Sequence, residues 1–277
     1  MEDVLALLRV GAGLIGAWMI ASAACRAGWL ADGRAVAAAT AVGGSIFAFA
    51  GWQGALLLVA FFLSAGLLSR LPDPWLAQKP AEAGRGGPLG PAGEASAPRR
   101  TAVQVAANGG VAAAAAVAVG LTGATWARFA LAGAIAAATA DTWATEVGRW
   151  WRATPRSALS GRPLEPGESG GMTAAGTFAA MLGAAFIGLL AAGLWPDLEP
   201  GDALLIEVAG FAGMWVDSVL GATVQYKAYC SACGRVVEER RHPHETDRRQ
   251  GFSLIDNHAV NVAATLAGAL AGLYLSL

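Results

Sequence analysis

AATADTWATEVG (137–148) closes an apolar run that begins near Thr125, and its reading decides the fold. A run of roughly 20 apolar residues is what an α-helix needs to cross a bilayer. Near the end of this one stand Asp141, Thr142, Thr145 and Glu146, where hydrocarbon is expected. A carboxylate at membrane depth costs about 2.5–3.5 kcal/mol even on insertion scales, so it needs a partner or a task.

Outward from this stretch the chain keeps the same character. Hydrophobic residues make up 55% of its 277 positions and charged residues 14%, against about 25% charged in a soluble domain. The charges gather in a few hydrophilic stretches between runs of Ala, Gly, Leu and Val. The expectation is a single all-α, polytopic integral membrane domain over 1–277. A net charge of −1 with no basic or acidic tail gives no reason to expect a nucleic-acid partner. The first apolar run, 4–24, follows Glu2 and Asp3 rather than a basic segment, so it reads as a retained helix and not a signal peptide.

Apolar windows fall near 4–24, 34–50, 52–69, 101–121, 125–147, 171–194, 203–225 and 253–276, which predicts about eight transmembrane helices. Seven is the alternative, because the second and third windows are short and meet at Gly51 and Trp52. Residues 71–98 are rich in Pro, Gly and Ala and are expected to form a flexible cytoplasmic loop. Lys and Arg collect after the first window (Arg26, Arg34), the third (Arg70, Lys79, Arg85, Arg99, Arg100), the fifth (Arg149, Arg152, Arg156, Arg162) and the seventh (Lys227, Arg235, Arg240, Arg241, Arg248, Arg249). Excess positive charge marks the cytoplasmic side of a membrane protein. These loops share one side only if both short windows span, which favours eight. Both termini are then expected outside, in the cell (inner) membrane.

This topology places the intramembrane polar residues in the cytoplasmic half. Asp141 lies roughly 9 Å inside that face at 1.5 Å per residue. Arg100, Gln104 and Asn108 share a stripe on the fourth window, as do Asp217, Gly221 and Gln225 on the seventh. Asp256, Asn257 and Asn261 open the eighth. Arg9, Arg128 and Glu207 lie near the opposite helix ends, where snorkelling or a simple pair explains them. Trp143, Trp150, Trp151 and Trp215 read as packing or interfacial anchors.

Carboxylates converging from several helices repel unless protons or a cation hold them together. Hard oxygen donors beside amides suit Mg²⁺ or Ca²⁺. Asp141 and Glu146 are five residues apart, about 140° around a helix, so one would serve a metal and the other an arginine. The loop PGESGGMT (166–173) feeds a helix start, and its glycine-rich turn can receive a phosphate through Ser169, Gly170, Gly171 and Thr173, or simply cap the helix. Lys79, Arg99 and Arg100 supply positive charge nearby. Together these features describe phosphoryl transfer to a lipid-borne substrate. The competing class is a carrier or flippase for a lipid phosphate or an ion. Polar groups that stop halfway across the membrane favour the enzyme.

FFLSAGLLSR (61–70), Lys79, RTAVQVAANGG (100–110), ADTWATEVG (140–148), PLEPGESGGMT (163–173), VDSVLGATVQ (216–225) and DNHAVN (256–261) carry a resemblance to a known family. The chain resembles an uncharacterised integral membrane family that includes human transmembrane protein 19 and the plant phytyl-phosphate kinase. The resemblance implies conversion of an isoprenoid monophosphate to the diphosphate, with a nucleoside triphosphate, CTP or ATP, as donor and Mg²⁺ as cofactor. It implies Asp141, Glu146, Asp217 and Asp256 as metal or catalytic acids, and Asn108, Gln225, Asn257 and Asn261 as orienting ligands. Lys79, Arg100 and the Ser169–Gly171 turn would be phosphate contacts.

The basic loop 227–252 carries a second feature. Cys230 and Cys233 form a CxxC, and His242 and His244 follow, which are zinc-ligand types. Reduced thiols that merely shape a cytoplasmic loop are the plain alternative. In the family this loop can carry a cysteine-rich knuckle, from which the two histidines depart. His258, beside the aspartate–asparagine pair, is a secondary candidate for phosphate contact.

Overall fold

The computed structural model describes residues 2–70, 99–151, 153–238 and 242–277, with side chains from Leu8 onward. Lys79, the whole 71–98 loop, Arg152, Arg240 and Arg241 lie outside the described residues. The described helices are α1 (Glu2–Arg26), α2 (Gly33–Leu68), α3 (Ala102–Thr122), α4 (Thr125–Trp150), α5 (Ala174–Leu194), α6 (Asp202–Thr223) and α7 (Asn257–Leu275). Six of them, all but α4, are long and apolar enough to cross a membrane. The fold is that of an all-α integral membrane protein.

The longest helix accounts for the two short windows. Within α2, Gly51 leaves helical geometry at φ 71° and ψ −169°, a left-handed region that an L side chain rarely adopts. Beyond that point the helix doubles back. A Cβ added to Gly54 would lie 3.1 Å from the Ile46 side chain, and one added to Gly43 would lie 3.7 Å from Leu58. Fifteen residues of straight helix would separate the latter pair by about 22 Å. Both ends of α2 therefore lie together, with Trp29 packed on Phe62 and Arg70 donating to the Ala27 carbonyl. α2 is a pair of antiparallel rods, 33–50 and 52–68, so seven helices present eight rods.

α4 is made less apolar by Arg128, Asp141, Glu146 and Arg149, yet it is the most enclosed of the described helices. Every residue from 129 to 140 is buried. It packs against α2, α3, α5, α6 and α7 at once. Its alanines and glycine permit this closeness, since small residues let helix backbones touch where no hydrophobic force drives association in lipid. At Gly133 and Gly268 the α4 and α7 backbones meet, and a Cβ on either would overlap the other's carbonyl.

The loops at one end carry short strands: β1 (Arg156–Ser157), β2 (Gly171–Met172), β3 (Lys227–Cys230), β4 (Arg235–Val237) and β5 (Asp247–Gln250). β1 pairs with β2, and the other three form an antiparallel sheet in the order β4-β3-β5. Two expected helix starts move inward as a result. Gly171 and Met172 belong to a strand, so α5 begins only after Thr173, whose Oγ1 accepts from the Gly176 N–H. Residues 253–256 precede α7, because the Asp256 carboxylate accepts from the His258 and Ala259 N–H groups and starts the helix there.

Candidate functional site

At the end of the bundle where α4 finishes, the helices splay around a cleft of about 400 Å³. α3 contributes Asn108, α4 contributes Asp141, Thr142, Thr145, Glu146 and Arg149, and α6 contributes Asp217 and Ser218. Asn257 and Asn261 reach it from α7, the 166–173 loop forms one wall, and Glu238 enters from the end of β4. Helix ends from distant parts of the chain thus meet in one place. Asp141, Glu146, Asn108, Ser169, Gly170, Gly171, Thr173, Asp217, Asn257 and Asn261, singled out from sequence, all line it.

The charge balance is lopsided. Among the described residues, Asp141, Glu146, Glu168, Asp217 and Glu238 line the cleft with one lining cation, Arg149, and Glu168 is paired with Lys227 behind the wall. Asp141 and Glu238 are charged neighbours of Asp217, and Glu146 lies 3.9 Å from Arg149. Glu146 also faces the Arg100 guanidinium, whose burial lowers its pKa from the usual arginine range while Glu146 partly opposes that shift. Glu146 therefore sits among arginines, while Asp141 and Asp217 face the cleft. With its amide nitrogen turned toward the acceptors, Asn261 donates to Asp217 Oδ2 and to the Asn257 carbonyl, each at 3.1 Å. Carboxylate oxygens beside amide oxygens are the donor types that a hard divalent cation such as Mg²⁺ takes.

The glycine-rich turn has a different local role from the one its sequence suggests. Ser169 donates its N–H to Glu238 Oε1 at 2.8 Å and its hydroxyl to Glu238 Oε2 at 2.6 Å. The buried Gln225 amide nitrogen donates to the same Glu238 oxygen and to Ser169 Oγ, both at 2.9 Å. Lys227 Nζ donates to Glu168 Oε1 at 3.0 Å and to the Ser169 carbonyl at 2.6 Å. A carboxylate already sits on the donors that would meet a phosphate. Gly170, at φ 78°, presses its backbone on Gly221 and Ala222 at the end of α6, which indexes the turn to the helix bearing Asp217. Gln225 is a brace behind the wall and Thr173 is a helix cap.

Asp256 and Arg100 are not among the residues lining this cleft. Asp256 is the α7 cap described above. Arg100 lines, with Gln104, a second cavity of about 450 Å³ between α1, α2 and α3, bounded by apolar residues such as Ala12, Gly16, Phe47 and Phe61. Asn108 lines both cavities, so the apolar one adjoins the polar one. Glu238, Glu168 and Lys227 escape a reading of the sequence, because a charged loop gives no sign of which charge turns inward. Cys230, Cys233, His242 and His244 gather beside the β3–β4 turn, their ligand atoms all within 4.8 Å of one another.

The far end of the bundle offers a contrast. Arg128, at the start of α4, pairs with Asp197 in the α5–α6 loop, the simple pair expected for it.

A small-residue helical bundle with a polar cleft at one end defines a polytopic membrane protein with an asymmetric interior site. The chain belongs to the family described as Integral membrane protein DUF92, which it matches over residues 12–269. It is 31% identical to Protein PGR of Arabidopsis thaliana over 244 residues, covering 78% of this chain and 79% of that one. It is 27% identical to an uncharacterized membrane protein of Methanocaldococcus jannaschii, covering 88% and 85% respectively. No solved structure matches it.

Proposed function

We propose that this chain is a membrane phosphotransferase that converts an isoprenoid monophosphate to its diphosphate, with CTP or ATP as donor. The observation that carries the reading is the shared wall at Asn108, where an apolar cavity between helices meets an acid- and amide-lined cleft. A lipid phosphate is an apolar chain ending in a polyanion, and this pair of cavities matches its two parts. The prenyl chain lies among Ala12, Gly16, Phe47 and Phe61, and the phosphate enters past Asn108. We place the cleft at the cytoplasmic face of the cell membrane, where nucleotide is available, with both termini outside.

The chemistry asks little of a general base, since the attacking phosphate oxygen is already anionic. That oxygen forms a bond to the γ-phosphorus of the donor, the bond between the β- and γ-phosphates breaks, and the nucleoside diphosphate leaves with its electron pair. The work is positioning and charge stabilisation. Asp141 and Asp217, with amide oxygens from Asn108 and Asn257, would hold Mg²⁺, which when bound neutralises the crowded phosphates. Asn261 fixes the Asp217 carboxylate. Glu146 positions Arg149 toward the incoming anions, and Arg100 contributes its charge from the adjoining cavity. Lys79, a phosphate contact by resemblance, lies outside the described residues. A phosphate reaching the Ser169 turn competes with Glu238 for the same two donors.

A carrier would need polar groups continuing to the opposite face, and there the described Arg128–Asp197 pair, Arg9 and Glu207 line neither cavity. The test is purified protein with Mg²⁺, labelled CTP or ATP, and a panel of isoprenoid monophosphates. Labelled diphosphate supports the enzyme, as does its loss in Asp141→Asn and Asp217→Asn proteins that remain folded. Movement of a lipid phosphate across proteoliposomes without any product overturns the reading in favour of a carrier.

A further inference from the structure

The geometry points to a structural Zn²⁺ site at Cys230, Cys233, His242 and His244 that clasps the β3–β4 hairpin and thereby holds Glu238 against the Ser169 turn. The site stands apart from the acidic cleft in chemistry. Thiolates and imidazoles are zinc ligands, whereas the acids and amides of the cleft offer hard oxygens.

Three observations converge. The first is spacing: Cys233 Sγ lies 3.3 Å from His242 Nε2 and 3.5 Å from His244 Nδ1. Tetrahedral zinc, with sulfur at about 2.3 Å and nitrogen at about 2.05 Å, separates those ligand atoms by about 3.6 Å. The second is completeness, since all four ligand atoms fall within 4.8 Å of one another, and both cysteines are free thiols. The third is the turn itself. Cys230 ends β3, and the Cys233 N–H points back at Cys230 Sγ at 3.4 Å, while the Gly234 N–H closes on the Cys230 carbonyl at 2.9 Å. Binding releases two thiol protons to solvent, and the resulting pair of thiolates and pair of neutral imidazoles balances the Zn²⁺ charge.

The role follows from what the hairpin carries. Lys227 begins β3 and Glu238 follows β4, and these two residues grip Glu168 and Ser169. β3 and β4 are only four and three residues long, and although β5 flanks β3 on its other side, β4 stands at the sheet edge and is held by β3 alone, so the hairpin rests on few ladder bonds. A metal clasp at its turn supplies the rigidity that such short strands lack.

The experiment is elemental analysis of the full chain purified in detergent under reducing conditions. About one zinc per chain is expected, falling below about a tenth in Cys233→Ser and in His242→Ala. Cobalt substitution should give the absorption of a tetrahedral site with thiolate ligands, which reads the ligand set even if a variant misfolds. Asp141→Asn should keep its zinc, so the result does not depend on phosphotransferase activity. Zinc-free reduced protein, or undiminished zinc in Cys233→Ser, overturns the site. Hydrogen exchange before and after chelation tests the clasp. Faster exchange in both 227–237 and 167–171 supports it, and unchanged exchange at 167–171 overturns that role.

Discussion

The two halves of α4 are built from the same helix and do opposite things. From 129 to 140 it is sealed on every side by other helices, and the nearby charge, Arg128, is matched by one aspartate. From Asp141 onward it borders an open cleft where, among the described residues, five carboxylates and one arginine form the lining. The difference teaches how to sort intramembrane charge. A matched pair near a helix end is accounted for by structure, whereas a surplus of one sign gathered from several elements needs protons, a counter-ion or a substrate to hold it.

That contrast can be broken most severely at its acidic end. Asp141→Asn or Asp217→Asn keeps the shape of the side chain and removes a charge, so diphosphate formation should fall by at least about 100-fold with helicity and detergent stability retained. A radiolabel assay beside circular dichroism measures both. Filling the apolar cavity comes next. Gly16→Phe should raise KM for long-chain prenyl phosphates about tenfold or more while short, water-soluble analogues are processed as before. Equal effects on both would detach the cavity from the substrate.

Glu238→Gln sharpens the comparison at the wall of the cleft. It weakens two charge-assisted hydrogen bonds to Ser169, each worth about 1.5–3 kcal/mol, so exchange of the Ser169 amide should accelerate by at least about tenfold. The smallest effect belongs to the matched end. Arg128→Gln with Asp197→Asn should change stability by less than about 1 kcal/mol and leave turnover untouched, because the pair is partly exposed. A large loss of activity there would erase the distinction between the two ends.

Much of this was legible before any coordinates. Apolar windows marked the helices, and the meeting of two short windows at Gly51 located the reversal in α2, because only a glycine sits easily at that φ. Polar stripes on separate helices foretold a cluster, since residues three or four apart share a face. Roles were harder to read. Asp256 carries two chemistries, metal ligand and helix cap, and the apolar run that follows it was a capping signal open to notice. Arg100 and Gln104 share a stripe with Asn108, yet only Asn108 lies deep enough to reach the cleft. Glu238 could not be picked out because its inward turn depends on β4 pairing with β3, a long-range fact about a loop read as merely basic.

The contact between Gly170 and the end of α6 carries a consequence for genetics. Neither Gly170 nor Gly221 bears a functional group, yet any side chain at either would pry the loop from the helix that carries Asp217. In a saturation screen scored by growth, both glycines should therefore cluster with the acidic residues as null alleles. Sorting true chemistry from mere spacing will then require assays on isolated protein.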